Sequence, residues 1–392
     1  MNIAKPQFNI LWVQVWTLAA LQGAITICWV IYNAYVPQLL TQFGFPASFA
    51  LVVLIIENAL AVILEPLMGG LSDKAKERVG SRFLLISAGV IMSATLFIAI
   101  PSIVTFVPPT EVWRSLLPFT LIAWAIAMTI FRSPAIALLI KYSLPAELPL
   151  AFSVVTLTGG IIGAFRGVVN QFILGLGPIF TFAIASFVLL AVTAALRIVT
   201  PPDKPVDEHH AAINPIPWSE LSLILGAGFG IGWGSRLLMD VVSKNLQAQF
   251  GQNDWLMVAV GIAIAFASPP AGWVATKIGN SRAILIGIGL TIISLLLIVF
   301  AGLPVALILI IIVGFSLIIN GTIPFALELM PQRWSGLGIG MYFGGFSLAM
   351  SLFGVFLPQP QSITPLIGAV GTTLAFLLAG GCVIASGSNK VD

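Results

Sequence analysis

Glu65-Pro-Leu-Met-Gly-Gly-Leu-Ser-Asp73-Lys74, continuing through Lys76, Arg78 and Gly80 to Arg82, starts with a carboxylate inside an apolar run and ends in a basic loop. It recurs, altered, as Ser268-Pro269-Pro270-Ala271-Gly272-Trp273-Val274-Ala275-Thr276-Lys277, ending at Arg282. Pro66 pairs with Pro269, Gly69 with Gly272 and Lys74 with Lys277, all at an offset of 203 residues in a chain of 392. That spacing implies two halves built on one plan. The acid does not recur, because Ser268 stands where Glu65 would.

Composition bounds the class. Hydrophobic residues make up 59% of the chain and charged residues 8%, with a mean hydropathy of +1.08. A soluble domain carries about 25% charged residues, so this chain cannot cover a water-facing surface. It reads as an integral membrane protein. A net charge of +3 implies no nucleic-acid partner. Cys28 and Cys382 both lie in apolar runs and read as small core residues, not as a disulfide or a metal pair. The stretch 1–9 is too short and too weakly basic for a cleavable signal, and the apolar run after it extends to about Leu40.

A spanning helix needs about 20 apolar residues. Twelve such runs can be drawn, at 11–38, 47–70, 83–106, 115–141, 149–175, 178–199, 217–243, 253–276, 283–301, 303–329, 335–357 and 363–386. The alternating ten-residue segments of a membrane barrel are missing. The expected fold is therefore all-α, with twelve transmembrane helices forming two pseudo-symmetric six-helix bundles. The N-terminal bundle is expected over 1–199 and the C-terminal bundle over 217–392. The Pro-rich, charged linker 200–216 between them carries Lys204, Asp207, Glu208, His209 and His210.

Basic residues orient the chain. One side holds Lys5, Lys74, Lys76, Arg78, Arg82, Lys141, Arg197, Lys204, Lys277, Arg282, Arg333 and Lys390, and the other only Arg114 and Lys244. Both termini and the linker are expected in the cytoplasm, with the protein in an inner or plasma membrane. Ser133-Pro134-Ala135-Ile136-Ala137-Leu138 and Ile323-Pro324-Phe325-Ala326-Leu327 are a further echo between the halves.

Ionisable groups inside the hydrocarbon cost about 2.5–3.5 kcal/mol each on insertion scales, so each needs a reason. The second run holds Glu57 and Glu65, eight residues apart, so both can face a bundle interior. Either carboxylate is suited to carry a coupling ion. Arg132 and Arg166 lie in the same half, which leaves Glu57–Arg166 and Glu65–Arg132 as alternative pairs. Either arginine has the planar fork to bind a solute hydroxyl or carboxylate. Arg236 and Asp240 are four apart, can pair on one face, and lie where a gate would sit. Glu328 is close to Arg333 and reads as its interfacial partner. Trp29, Tyr32 and Asn33 have the chemistry to stack on and hydrogen-bond a sugar ring, as do Trp124, Asn170, Gln171, Trp233 and Asn320. Trp12, Trp16, Trp113, Trp218 and Trp255 read as interfacial anchors. No phosphate loop, catalytic triad or metal-ligand cluster is present, so no cofactor, metal or enzymatic activity is expected.

The loop Gly69-Gly70-Leu71-Ser72-Asp73-Lys74, with Gly80 and Arg82, resembles the signature loop of the major facilitator superfamily. The spacing from Asp73 to Arg82 and the stretch Ser133–Leu139 are similar to motifs of its glycoside–pentoside–hexuronide:cation symporters and sucrose transporters. That resemblance implies two six-helix halves around a midplane site and alternating access. It also implies that the acid before Pro-x-Met-Gly, here Glu65, belongs to the cation site. The second acid of that branch, four residues earlier, is replaced by Ala61, which favours a proton over sodium. Lys141 stands near the place of an acid found after the fourth-helix motif. Asp73 would contact the start of the eleventh helix near Ser335 and Gly336, with Lys74 and Arg82 joining the same cytoplasmic latch. The function so implied is proton-coupled symport of a sugar or similar small polar solute by a monomer in the lipid bilayer. The alternatives are a proton-driven exporter of amphipathic compounds and a non-transporting membrane scaffold on the same fold.

Overall fold

The structure is a computed structural model that describes residues 10–168, 173–201, 215–301, 305–357 and 363–388. Twelve long helices dominate it: α1 Trp12–Gln42, α2 Phe49–Val79, α3 Phe83–Phe106, α4 Leu116–Ile136, α5 Leu148–Ala164, α6 Pro178–Val199, α7 Trp218–Phe250, α8 Asp254–Ile278, α9 Asn280–Ala301, α10 Val305–Leu329, α11 Ser335–Phe356 and α12 Pro365–Ser388. Among the described residues, 12 helices are long and apolar enough to cross a membrane. Their outer faces carry bare aliphatic and aromatic side chains, with Ile198 82% exposed. Such a surface is stable against lipid and not against water.

Helix ends follow local chemistry. α2 runs on past the expected end at residue 70, because Leu71–Val79 contains no helix breaker and Lys76 and Arg78 favour a C-terminal turn. Gly80 stops it at φ +74°, a left-handed conformation that glycine adopts without strain. The extra turns carry Asp73 to Arg78 towards the membrane surface. α5 is shorter than the expected 149–175, giving way to a tight turn at Phe165–Gly167 within a glycine-rich stretch. α4 breaks after Ile136, where the Leu138 nitrogen bonds three residues back to Ala135 at 3.1 Å, and resumes as one turn at Leu139–Tyr142.

α1 packs on α5 and α6, and α3 on α4 and α6, while α7 packs on α11 and α12 and α9 on α10 and α12. The two groups meet along two seams, α2 against α11 and α5 against α8. Small residues make both seams possible. A Cβ added at Gly69 would lie 2.1 Å from the Gly336 carbonyl oxygen, and one at Gly340 2.3 Å from that of Glu65. On the other seam, a Cβ at Gly160 would lie 2.9 Å from Ala265, and one at Gly272 2.6 Å from Ser153. The expected linker, 200–216, lies mostly outside the described residues.

Candidate functional site

Glu65 is fully buried on α2, directly before Pro66. Arg132 of α4 reaches it with a guanidinium nitrogen 2.5 Å from Oε1. The hydroxyl of Ser133 donates to its Oε2. Of the two alternative pairings, the structure contains Glu65–Arg132. The guanidinium carbon of Arg132 also lies 4.2 Å from the ring centroid of Phe343 on α11, so the ion pair touches the opposite group of helices. A buried charge with a bound counter-ion and a hydroxyl donor is tolerable in a low-dielectric interior, whereas an unpaired one is not.

Glu57 lies two turns away on α2 and is 5% exposed. Its Oε1 accepts the hydroxyl of Tyr32 from α1, and its Oε2 has no partner. Tyr32 is stacked on Trp124 at 4.3 Å between ring centroids, and Phe97 stacks on Trp124 at 4.9 Å. A cavity of about 60 Å³ lies between Glu57, Glu65, Arg132, Trp29 and Ser347. A second cavity, of about 260 Å³, lies among α1, α4, α5, α10 and α11, with Ile136, Phe152, Ile319 and Phe343 prominent in its wall. Arg132 borders the first cavity and Phe343 the second, so their stacked side chains stand between the two.

At the end of α2 the chain builds a closed polar knot. Asp73 accepts from the backbone nitrogens of Gly336 (3.0 Å) and Leu337 (2.8 Å), which are free at the first turn of α11. Arg82 pairs with Asp73 at 2.6 Å and donates to the hydroxyls of Ser72 and Ser335, each at 2.9 Å. Farther out, Arg333 pairs with Glu77 at 2.5 Å. In the echo loop, Thr276 occupies the place of Asp73 and its hydroxyl returns to the Trp273 carbonyl of its own helix. The polar knot is confined to one seam.

Several expectations are corrected. Lys74 is exposed, and the ion-pair partner of Asp73 among the described residues is Arg82. Asp240 pairs with Lys244 at 2.7 Å rather than with Arg236, whose guanidinium lies over Phe353 at 5.5 Å. Both basic residues are one helical turn from Asp240, and Lys244 is also held by the Ile363 carbonyl at 2.7 Å. Arg333 pairs with Glu77, which the α2 extension brings to it. Arg166 lies in the turn after α5 and is not the partner of Glu57. Trp124 is fully buried inside its aromatic cluster, so it offers no face to a solute.

Trp29 lines the small cavity, while Asn33 donates to the Trp29 carbonyl at 2.6 Å. Trp233 packs on Phe353 with centroids 5.5 Å apart. Asn320 is buried and donates to the Ser316 carbonyl at 2.7 Å, its Oδ1 without a partner. Asn170 and Gln171, with His209 and His210, lie outside the described residues. Sequence reasoning missed Ser133 as a Glu65 ligand, although its place beside Arg132 and Pro134 is visible in the chain. It also overlooked Ser72 and Phe343, whose roles have no signal in sequence.

Neither a protein-family model nor a curated protein matches the sequence. The fold is similar along nearly its whole length to solved transporters. One is a bacterial homologue of the iron transporter ferroportin in an outward-facing state, at 15% identity and TM-score 0.70, covering 95% of this chain and 99% of that one. Another is the transporter FucP of the Major Facilitator Superfamily in its outward conformation, at 12% identity and TM-score 0.67, covering 94% and 97%. A third is the human organic anion transporter MFSD10, at 12% identity and TM-score 0.60, covering 95% and 97%. The protein has the twelve-helix fold of the major facilitator transporters.

Proposed function

We propose that the chain is a secondary transporter that works by alternating access, is coupled to protons, and is not an enzyme. The observation that carries this reading is Glu65, fully buried, ion-paired to Arg132 and bordering a cavity between the two groups of helices. A proton on Glu65 would release Arg132, and loss of that proton would restore the pair. Glu57 is the second candidate ion carrier. The Asp73–Arg82 knot then acts as a latch on the cytoplasmic side, with both termini on that side of an inner or plasma membrane and the protein monomeric. The loop from Gly69 to Arg82 supports a place near the glycoside–pentoside–hexuronide:cation symporters, and hence a small polar solute such as a sugar.

The wall of the larger cavity favours a second reading. Ile136, Phe152, Val155, Ile319 and Phe343 give it an apolar character better matched to an amphipathic solute than to a sugar. The small cavity, at about 60 Å³, is far below the 300–1,000 Å³ typical of ligand pockets. A sugar ring needs a more open state of the protein.

The test combines a solute-library thermal-shift screen at two pH values with flux measurements in proteoliposomes carrying a trapped pH dye. The expected result is solute-driven proton flux in the wild type that vanishes in Glu65→Gln. Equal accumulation by both proteins removes the coupling role of Glu65. Absence of any flux, with a membrane partner co-purifying stoichiometrically, would favour the scaffold alternative.

A further inference from the structure

The small cavity contains an imbalance of charge. Glu65 is satisfied by Arg132 at 2.5 Å and by Ser133. Arg132 is committed to that pair and to the face of Phe343. Among the described residues Glu57 has no cationic partner, and its Oε2 has no hydrogen-bond partner. The elements packed around it do not make up the difference. α1 faces it with Tyr32, and α4 has Arg132 as its sole charged residue. α3 has no ionisable side chain, and α11 has only Tyr342. With Glu57 ionised, two carboxylates and one guanidinium leave the cavity one positive charge short, which either a proton or a bound cation makes up.

The remaining wall indicates what would supply that charge. The half-buried ring of Trp29 borders the same space as Glu57, with Ser347 nearby. A carboxylate beside an indole face is the combination that recognises an ammonium or guanidinium group. The volume of about 60 Å³ accommodates roughly four waters, or a head of similar size. An anion would add negative charge beside the carboxylates, and a neutral sugar would leave the charge of Glu57 to be met by a proton alone.

We propose that this cavity binds the head group of a small organic cation between Glu57 Oε2 and the Trp29 ring. The head is a protonated amine, a guanidinium or a methylated ammonium. The apolar tail of the same molecule reaches the 260 Å³ cavity when the Arg132–Phe343 stack that separates the two cavities parts. This names the solute class for the amphipathic-solute reading of the transporter above, in place of a sugar, and rests on that reading. It also sets the direction of coupling. One uncompensated carboxylate can be neutralised by a proton or by the cationic head, but not by both. Each cation that leaves Glu57 is replaced by one proton, which is exchange rather than symport.

The experiment uses the full-length protein in lipid nanodiscs, with empty nanodiscs correcting for partition into lipid. Hexylguanidinium is compared with hexylurea, a neutral molecule of nearly the same shape, and with hexanoate. Binding is followed by calorimetry and by the fluorescence of the tryptophans beside Tyr32. Near pH 8, hexylguanidinium is expected to bind at least about tenfold more tightly than hexylurea, and hexanoate not to bind. Its affinity should fall on acidification, approaching about tenfold per pH unit, because a proton competes for the same oxygen. Glu57→Gln should lose the preference for the cation while melting within a few degrees of the wild type.

Equal binding of hexylurea, a pH-independent affinity, or a folded Glu57→Gln that keeps the preference overturns the proposal. If that variant does not fold, the wild-type pH dependence and the hexylurea comparison decide the matter. Cation binding without flux in proteoliposomes would remove the transporter reading and leave the cation site. Flux of a neutral or anionic solute without cation binding would do the reverse.

Discussion

Asp73 of α2 caps α11 by accepting from the backbone nitrogen of Gly336 at 3.0 Å, joining two helices that lie more than 250 residues apart in the chain. Its second oxygen takes Leu337, and Arg82 neutralises the carboxylate from the same side. One side chain thereby satisfies two orphan donors at a helix start and orders a buried arginine.

Removing one partner of such a buried pair leaves the other charged and unpaired, at a cost of about 3–5 kcal/mol. Asp73→Asn and Arg82→Gln should each lower the melting temperature of the purified protein clearly. The double variant should fall less than the two single losses combined, because the second change removes the charge stranded by the first. Additive losses would show that the two residues act independently.

The glycine seam offers a paired test. A methyl at Gly69 would collide with backbone atoms of Gly336 and Leu337, whereas one at Gly70 meets only Leu337 Cδ1 at 3.7 Å. Gly69→Ala should force α2 and α11 apart and destabilise the protein by about 1–3 kcal/mol or more. Gly70→Ala should be neutral or slightly stabilising, through its better helix propensity. Thermal melts of the two variants side by side check this, and similar melts would show that the helices do not approach so closely.

At the buried carboxylate the order of severity is specific. Arg132→Gln leaves Glu65 charged and alone, so it should be the most destabilised of the set. Glu65→Gln leaves Arg132 partly exposed, with Phe343 beneath it, and should cost less. Combining the two should recover stability relative to Arg132→Gln, which denaturation in a single detergent would reveal. The same series in flux measurements separates a structural from a coupling role, because only the coupling role makes Glu65→Gln stable yet uncoupled.

Trp124 and Trp29 should behave differently although they touch, with ring centroids 4.8 Å apart. Trp124→Ala opens a hole in the aromatic cluster and should cost about 3–5 kcal/mol. Trp29→Ala removes a half-buried cavity wall, so its cost in stability should be smaller and its effect on ligand affinity larger. Melting curves and binding isotherms on both variants provide the comparison.

Much of the architecture was readable from the chain alone. Apolar content, run length and the breakers between runs are local quantities that add up along the sequence, so all twelve spans were found. The loop from Gly69 to Arg82 and its echo near Gly272 are the sequence basis for expecting two halves. Burial of Glu57 and Glu65 followed from their place inside an apolar helix. The α5 boundary was missed because the tightening of the helix into a turn at Phe165–Gly167 leaves no mark in hydropathy.

Choice of partner was a different matter. That Glu65 meets Arg132, that Asp240 takes Lys244, and that Arg333 finds Glu77 across the α2–α11 seam depend on the rotation and height of each helix against its neighbours. A shift of one residue turns a helical side chain by about 100° and moves it 1.5 Å along the axis. Neither quantity is written in hydropathy or spacing. The sequence by itself determined which groups are buried and in which helices. Only the tertiary structure decided that Glu57 keeps an oxygen without a partner among the described residues, because the packing of α1, α4 and α11 around α2 brings Arg132 to Glu65 and none of their cations to Glu57.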